Sequence, residues 1–270
     1  MLYILFMQLT KQFNFLSKLA GQLNSFYKKK SNSFMKVENK GKNKKNYDPV
    51  TNFDKGIEKF IRIHIQKKFK HDGIIGEEFP NKVSKNDFTW CIDPIDGTRA
   101  FVIGAPTWSN LIGLSYLGQS VIGLANFPEL DKHYVASQKD SFVIKKNKKT
   151  KIKTSNAKTI HNIKMVGNFH GVLSYERQKK IIKKLGWSFR LAGFDALNFC
   201  LMAEGKIDAV IEANLKPYDI LPLVPIVKNA GGIVTNWNNE PAEKGGHIVA
   251  AANKVLHRKL IKLLKPFRNI

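Results

Sequence analysis

The stretch Phe88-Thr89-Trp90-Cys91-Ile92-Asp93-Pro94-Ile95-Asp96-Gly97-Thr98 decides how the rest of the chain is read. Its apolar half, Phe88 to Ile92, reads as a buried strand, and the six residues after it read as a site for metal and phosphate. Two carboxylates three positions apart, on a turn stiffened by Pro94, cannot both relax away from each other, so folding concentrates negative charge there. Such a cluster is stable only around cations. Hard oxygen ligands select Mg²⁺, which keeps several waters and is shared between carboxylates and a substrate phosphate. Gly97 lets a backbone come close, and the N–H groups after it, at a predicted helix start, favour an anion. An ordinary Asx turn uses the same residue types. Phosphatases with an aspartyl nucleophile separate their two aspartates by one residue. Here the separation is two, which turns the second carboxylate the other way along extended chain. Water, not Asp93, is the expected nucleophile.

A chain of 270 residues with 43% hydrophobic content can bury a real core, as one large domain or two small ones. Its formal charge is +24, yet 39 of the 45 basic residues are Lys and six are Arg. Specific nucleic-acid readers lean on Arg, so the balance argues for a general positive field that attracts anionic substrates. The Lys runs at 28–30, 40–45 and 145–153 read as solvated loops or strand ends. Cys91 and Cys200 lie in apolar runs and read as reduced core residues of a cytoplasmic protein. The seven His residues show no metal-binding spacing. Met1 to Phe6 is apolar but lacks a basic leader and is too short to span a membrane. Met7 is an alternative start.

Helical spacing of Leu9, Phe13, Leu16, Leu19, Ala20 and Leu23 predicts an amphipathic helix over 8–28, followed by a polar loop to Tyr47. A second helix runs from Thr51 to about 69, with Asp54 in its first turn. Gly73 to Gly76 is a short strand running into Glu77-Glu78, and alternation admits only one of the two acids to a site. Three short apolar runs, 111–116, 120–126 and 133–137, predict an antiparallel meander. The polar segment 145–158 divides an N-terminal α+β half, 1–150, from a C-terminal α/β half, 151–270. The second half reads as helix 174–185, strand 187–191, helix 195–204, strand 207–212, a helix from about 218, strands 232–237 and 247–251, and a last helix from 254. Pro222 and Pro225 are odd inside the helix from 218; with Tyr218 as cap Pro222 is the fourth helical residue, whose N–H has no intrahelical partner, and a kink is expected at Pro225. Asp219, in the first turn of that helix, is by itself only a favourable helix-start acid.

Taken together, Gly76-Glu77-Glu78, Asp93 to Thr98, and Pro217-Tyr218-Asp219 ahead of Ala230-Gly231-Gly232 resemble the inositol monophosphatase family over about residues 37–252. Arg99 after the Gly-Thr, Pro106-Thr107-Trp108 and Lys216-Pro217-Tyr218-Asp219-Ile220 look most like its histidinol-phosphate phosphatase branch. The resemblance implies an α/β layered αβαβα sandwich with the metal site between two subdomains, and two or three Mg²⁺ ions. It implies a first metal on Glu77, Asp93 and the Ile95 carbonyl, and a second on Asp93, Asp96 and Asp219. A weaker third would sit near Glu77 with Asp54 behind its waters. It makes Glu77 and Thr98 the base and relay for the attacking water, and Gly97 and Thr98 the phosphate cradle. Substrate-side positions fall on Asp96, Arg99, Arg190, Gly193, Phe194, Asp195 and Glu212. Acids at 195 and 212 suit the ammonium and imidazole of histidinol phosphate. Inositol 1-phosphate and 3′-phosphoadenosine 5′-phosphate are the competing substrates, and an RNA-binding protein on the same fold is the distant alternative. The expected partners are a small phosphorylated substrate and a second copy of the chain in a homodimer, without membrane or nucleic acid.

Overall fold

The computed structural model describes residues 2–30, 36–40, 49–169, 173–186 and 189–268. The chain opens with α1 (Leu2–Lys30), the two-stranded ribbon β1 (Val37–Asn39) and β2 (Pro49–Thr51), and α2 (Asn52–Lys68). A seven-stranded sheet follows: β3 (Gly73–Gly76), β4 (Phe88–Asp96), β5 (Ser109–Tyr116), β6 (Gln119–Phe127), β7 (Lys132–Ala136), β8 (Ser141–Lys145) and β9 (Lys148–Lys151), in that spatial order. Only its first pair is parallel. The short α3 (Thr98–Val102) interrupts the run between β4 and β5.

The second sheet has five strands: β10 (Met165–Asn168), β11 (Phe189–Leu191), β12 (Ala209–Leu215), β13 (Ile233–Asn236) and β14 (Gly246–Ala251), in the order β11-β10-β12-β14-β13. The first three are parallel to one another, and β14 is antiparallel to both its neighbours. The helices are α4 (Tyr175–Leu185), α5 (Ala196–Ala203), α6 (Pro217–Ile220), α7 (Leu223–Asn229) and α8 (Lys254–Leu264).

Alternation along the strands sorts the core into layers. Ile112 and Leu114 of β5, with Ile122 and Leu124 of β6, face Leu16, Leu19, Ile57 and Ile61 of α1 and α2. The opposite face, through Leu111, Ala125 and Phe127, packs on α5 and α7, whose other side meets Val210, Ile248 and Ala250 of the second sheet. Ala209, Ile211, Val249 and Ala251 then face α4 and α8. The fold is the expected αβαβα sandwich. No described helix is long and apolar enough to cross a membrane.

Three local expectations change. Lys28–Lys30 continue α1 as its last turn, where cations suit the helix dipole. The segment 145–151 is a hairpin turned through Lys146 and Asn147, both at positive φ, with β9 as the lysine-covered edge of its sheet. The predicted helix from 218 is two helices. Pro217 is the first residue of α6, and Pro222 caps α7. Pro225 falls in the first turn of α7, where a missing N–H costs no intrahelical bond and no kink arises. Of the lysine run 40–45, only Lys40 lies within the described residues.

Candidate active site

Asp93 and Asp96 stand i, i+3 on β4, a spacing that points side chains to opposite faces of a regular strand. The strand is not regular here. Asp93 pairs with Leu111 and Asp96 with Ser109, so three steps on β4 match two on β5 and the register slips by one. This bulge brings both carboxylates to one side. The turn closes on itself: Ile95 N–H donates to Asp93 Oδ1 at 3.0 Å, Thr98 Oγ1 donates to the Ile95 carbonyl at 3.0 Å, and Asn110 Nδ2 holds the Pro94 carbonyl at 2.6 Å. Gly97 takes φ 78°, ψ 42° to start α3, a left-handed conformation that favours glycine. The Asx turn is therefore present, and it is what aims the cluster.

Asp219 joins from α6, where its Oδ2 accepts from Lys216 N–H at 2.6 Å, as a helix-start acid does. The role expected from local sequence and the place in the cluster coexist, because one carboxylate has two oxygens. Ligand oxygens of Asp93, Asp96 and Asp219 lie within 4.8 Å of one another. Burial, reinforced by Glu77, Asp96, Asp219 and Asp54, pushes Asp93 well above the usual carboxylate range. Burial and then Asp195 and Asp219 do the same to Asp96, although its Oδ2 accepts from Ala196 N–H at 3.0 Å. An all-oxygen, all-acidic set of this kind, two of its members buried and Asp219 half-buried, fits a hard divalent cation.

Glu77 follows β3 and reaches the same cavity; Glu78 does not. Burial pushes Glu77 up to about 7, against the pull of the Lys40 ammonium 3.1 Å from its Oε1. Lys40 also pairs with Glu78. Asp54 is buried but stands outside the cavity wall, in a capping box with Thr51, whose N–H donates to its Oδ2 at 2.7 Å. Burial raises it to about 6 despite these bonds.

The cavity, of about 820 Å³, lies between the bulge of β4 and the C-terminal ends of β10, β11 and β12. Ligands of open α/β sheets gather at such strand ends. Asn168 and Glu212 are register partners there, and Asp195 sits in the loop after β11. Asp195 is at φ 42°, an uncommon conformation for a non-glycine residue, and its Oδ2 is so near Gly97 that a Cβ there would come within 3.0 Å of it. Glu212 is buried and accepts from Asn198 Nδ2 at 3.2 Å. Gly97, Thr98, Arg99, Gly193 and Phe194 also line the wall, with Arg99 and Phe194 exposed at its mouth. Arg190 does not line it; on β11 its Nη1 donates to the neighbouring Phe189 carbonyl at 2.8 Å.

The profile of the inositol monophosphatase family matches residues 9–267, nearly the whole chain. The chain belongs to that family. Its members are phosphatases of the phosphoric monoester hydrolase class. A histidinol-phosphatase of Mycobacterium tuberculosis is 29% identical over 223 residues, covering 80% of this chain and 84% of that protein. A fructose-1,6-bisphosphatase/inositol-1-monophosphatase of Aquifex aeolicus is 29% identical over 243 residues, 87% of each chain. A solved IMPase/NADP phosphatase, complexed with Mg²⁺ and phosphate, matches with a TM-score of 0.81 over 95% of this chain and 96% of its own; at 20% identity that likeness concerns the fold.

In this inositol monophosphatase family member, two contributors to the site escaped the sequence reading. Lys40 looked like one more solvated lysine, and nothing local distinguishes it from Lys42, Lys44 or Lys45. Asn168 carries no motif. It ends β10, a strand the sequence reading did not predict, and the short run Met165-Val166-Gly167 was the available signal.

Proposed function

We propose that the protein is a Mg²⁺-dependent phosphate monoester hydrolase that uses water as nucleophile and takes L-histidinol phosphate. The observation that supports this most is the triad of buried Asp93 and Asp96 with half-buried Asp219, in a cavity whose wall also carries Asp195 and Glu212. The triad, with Glu77 and the Ile95 carbonyl, would hold two or three Mg²⁺ ions. Bound there, the metal supplies a lowered pKa for a coordinated water and charge neutralisation at the leaving oxygen.

Glu77, with its proton affinity raised toward neutrality, takes up a proton from the attacking water, and Thr98 Oγ1, tethered to the Ile95 carbonyl, orients it. The amides of Gly97 and Thr98 at the start of α3 hold phosphate oxygens. Asp54, in the first turn of α2, would stand behind the waters of a third ion near Glu77. On the substrate side Asp195 and Glu212 pair with an ammonium and an imidazolium, charge-assisted contacts that a neutral cyclitol cannot return. Arg99 and Phe194 meet the substrate at the mouth. A homodimer belongs to the same proposal and is checked by light scattering.

Phosphate release from L-histidinol phosphate, myo-inositol 1-phosphate and 3′-phosphoadenosine 5′-phosphate, each with Mg²⁺ and with EDTA, tests the reading. Preference for histidinol phosphate, abolished by EDTA, is expected. Preference for either other ester keeps the metal chemistry and discards the roles of Asp195 and Glu212.

A further inference from the structure

Glu77 leaves the end of β3 on a turn, and the turn is held from beneath by α2. Arg62 Nε donates to Glu58 Oε1 at 2.7 Å, one helical turn apart. The rest of the pair's hydrogen bonds leave the helix. Glu58 Oε2 accepts from the Glu78 N–H at 2.7 Å, while Arg62 Nη2 and Nη1 donate to the carbonyls of Phe79 and Pro80 at 3.0 and 3.1 Å. Three consecutive residues after Glu77 are tied to one ion pair. On the other side, Gly76 packs so closely on Glu58 that a Cβ there would overlap its Oε1 and Cδ. The Arg62 guanidinium also lies over the Phe79 ring, 5.8 Å from its centroid.

We infer that Glu58 and Arg62 are positioning residues that set Glu77 for metal binding, an inference that rests on the metal-site reading above. Glu58 is fully buried. Taking such a pair out of water stabilises a fold no better than an apolar pair of the same volume. What this pair supplies is direction: its hydrogen bonds to residues 78–80 on one side of Glu77 and its packing on Gly76 on the other leave that carboxylate on the cavity wall. Groups that orient metal ligands in this way change metal affinity by about 10–100-fold when removed.

The test follows Mg²⁺ uptake calorimetrically in the full chain for wild type, Arg62→Met, Arg62→Lys, Glu77→Gln and the Arg62→Met/Glu77→Gln double variant, with circular dichroism as a check of folding. Arg62→Met is expected to weaken the binding that depends on Glu77 by about tenfold or more, and Arg62→Lys to recover part of it. In the Glu77→Gln background Arg62→Met should add less than about twofold, because the ligand it positions is gone. Should Arg62→Met not fold, Glu58→Gln, which keeps the side chain's shape, carries the same comparison. Wild-type uptake left unchanged by a folded variant, or lost equally with and without Glu77, overturns the inference alone. A wild-type protein that takes up no Mg²⁺ overturns the metal reading and the inference with it.

Discussion

At Asp93 burial and four acidic neighbours resist ionisation and outweigh the one hydrogen bond donated by the Ile95 N–H. The residue is costly to the fold and valuable to the chemistry. Asp93→Asn should therefore raise the melting temperature in EDTA while lowering phosphate release by about a thousandfold or more, since several kcal/mol of metal-derived stabilisation go with the ligand. Melting curves and phosphate assays on one preparation check both halves. Glu77 gives a pH dependence of definite sign. Its folded value of about 7 lies above its ordinary 4.5, so the folded state holds the proton more tightly. In EDTA this group favours the fold below pH 4.5 and progressively loses that contribution as pH rises through 7. Metal requires the carboxylate, so the Mg²⁺-induced rise in melting temperature should be larger at pH 8 than at pH 6. Equal rises at both values would remove Glu77 from the metal's ligands.

The link between α6 and α7 shows why an element's end governs the site. Ser120 Oγ donates to the Leu221 carbonyl at 2.7 Å, and the chain at Leu221 and Pro222 lies in a slot made by Gly113 and Gly123 on adjacent strands. A Cβ at Gly123 would overlap the Pro222 carbonyl oxygen. Gly123→Ala is expected to cost about 1–3 kcal/mol by overpacking and to weaken Mg²⁺ binding, because Asp219 stands three residues before Pro222. Thermal melts and Mg²⁺ titration measure the two effects. What the sequence showed and hid follows from range. Most helices and strands were legible, because 3.6 and 2.0 periodicities are local. The bulge that aligns Asp93 with Asp96 was not, because it exists only against β5. Pro222 was legible as a first-turn proline, but the slot of Gly113 and Gly123 that receives it was not, because it lies on two other strands. The brevity of Gly76-Glu77-Glu78 likewise hid the partner of Glu78, twenty residues upstream at Glu58.

Across the whole molecule a net charge of +24 surrounds an acidic cavity. The field favours arrival of phosphate esters, and it also makes the surface repel itself. Raising NaCl from about 0.01 M to about 0.3 M should raise the melting temperature in EDTA, since the Debye length falls from about 30 Å to about 6 Å over that range. A flat or falling response would show that the lysines are already neutralised by local pairs. At this scale the layered order was recoverable from the family resemblance, while the face each helix covers needed the assembled sheets. The central claim is that Asp93, Asp96 and Asp219 form a divalent-metal centre for phosphate ester hydrolysis. Anomalous diffraction from crystals soaked in Mn²⁺ and phosphate tests it most directly. The account predicts at least one Mn²⁺ peak bonded to these three carboxylates, with phosphate beside Gly97 and Thr98; a cluster that stays metal-free at saturating Mn²⁺, in crystals of a protein that still releases phosphate, would contradict it.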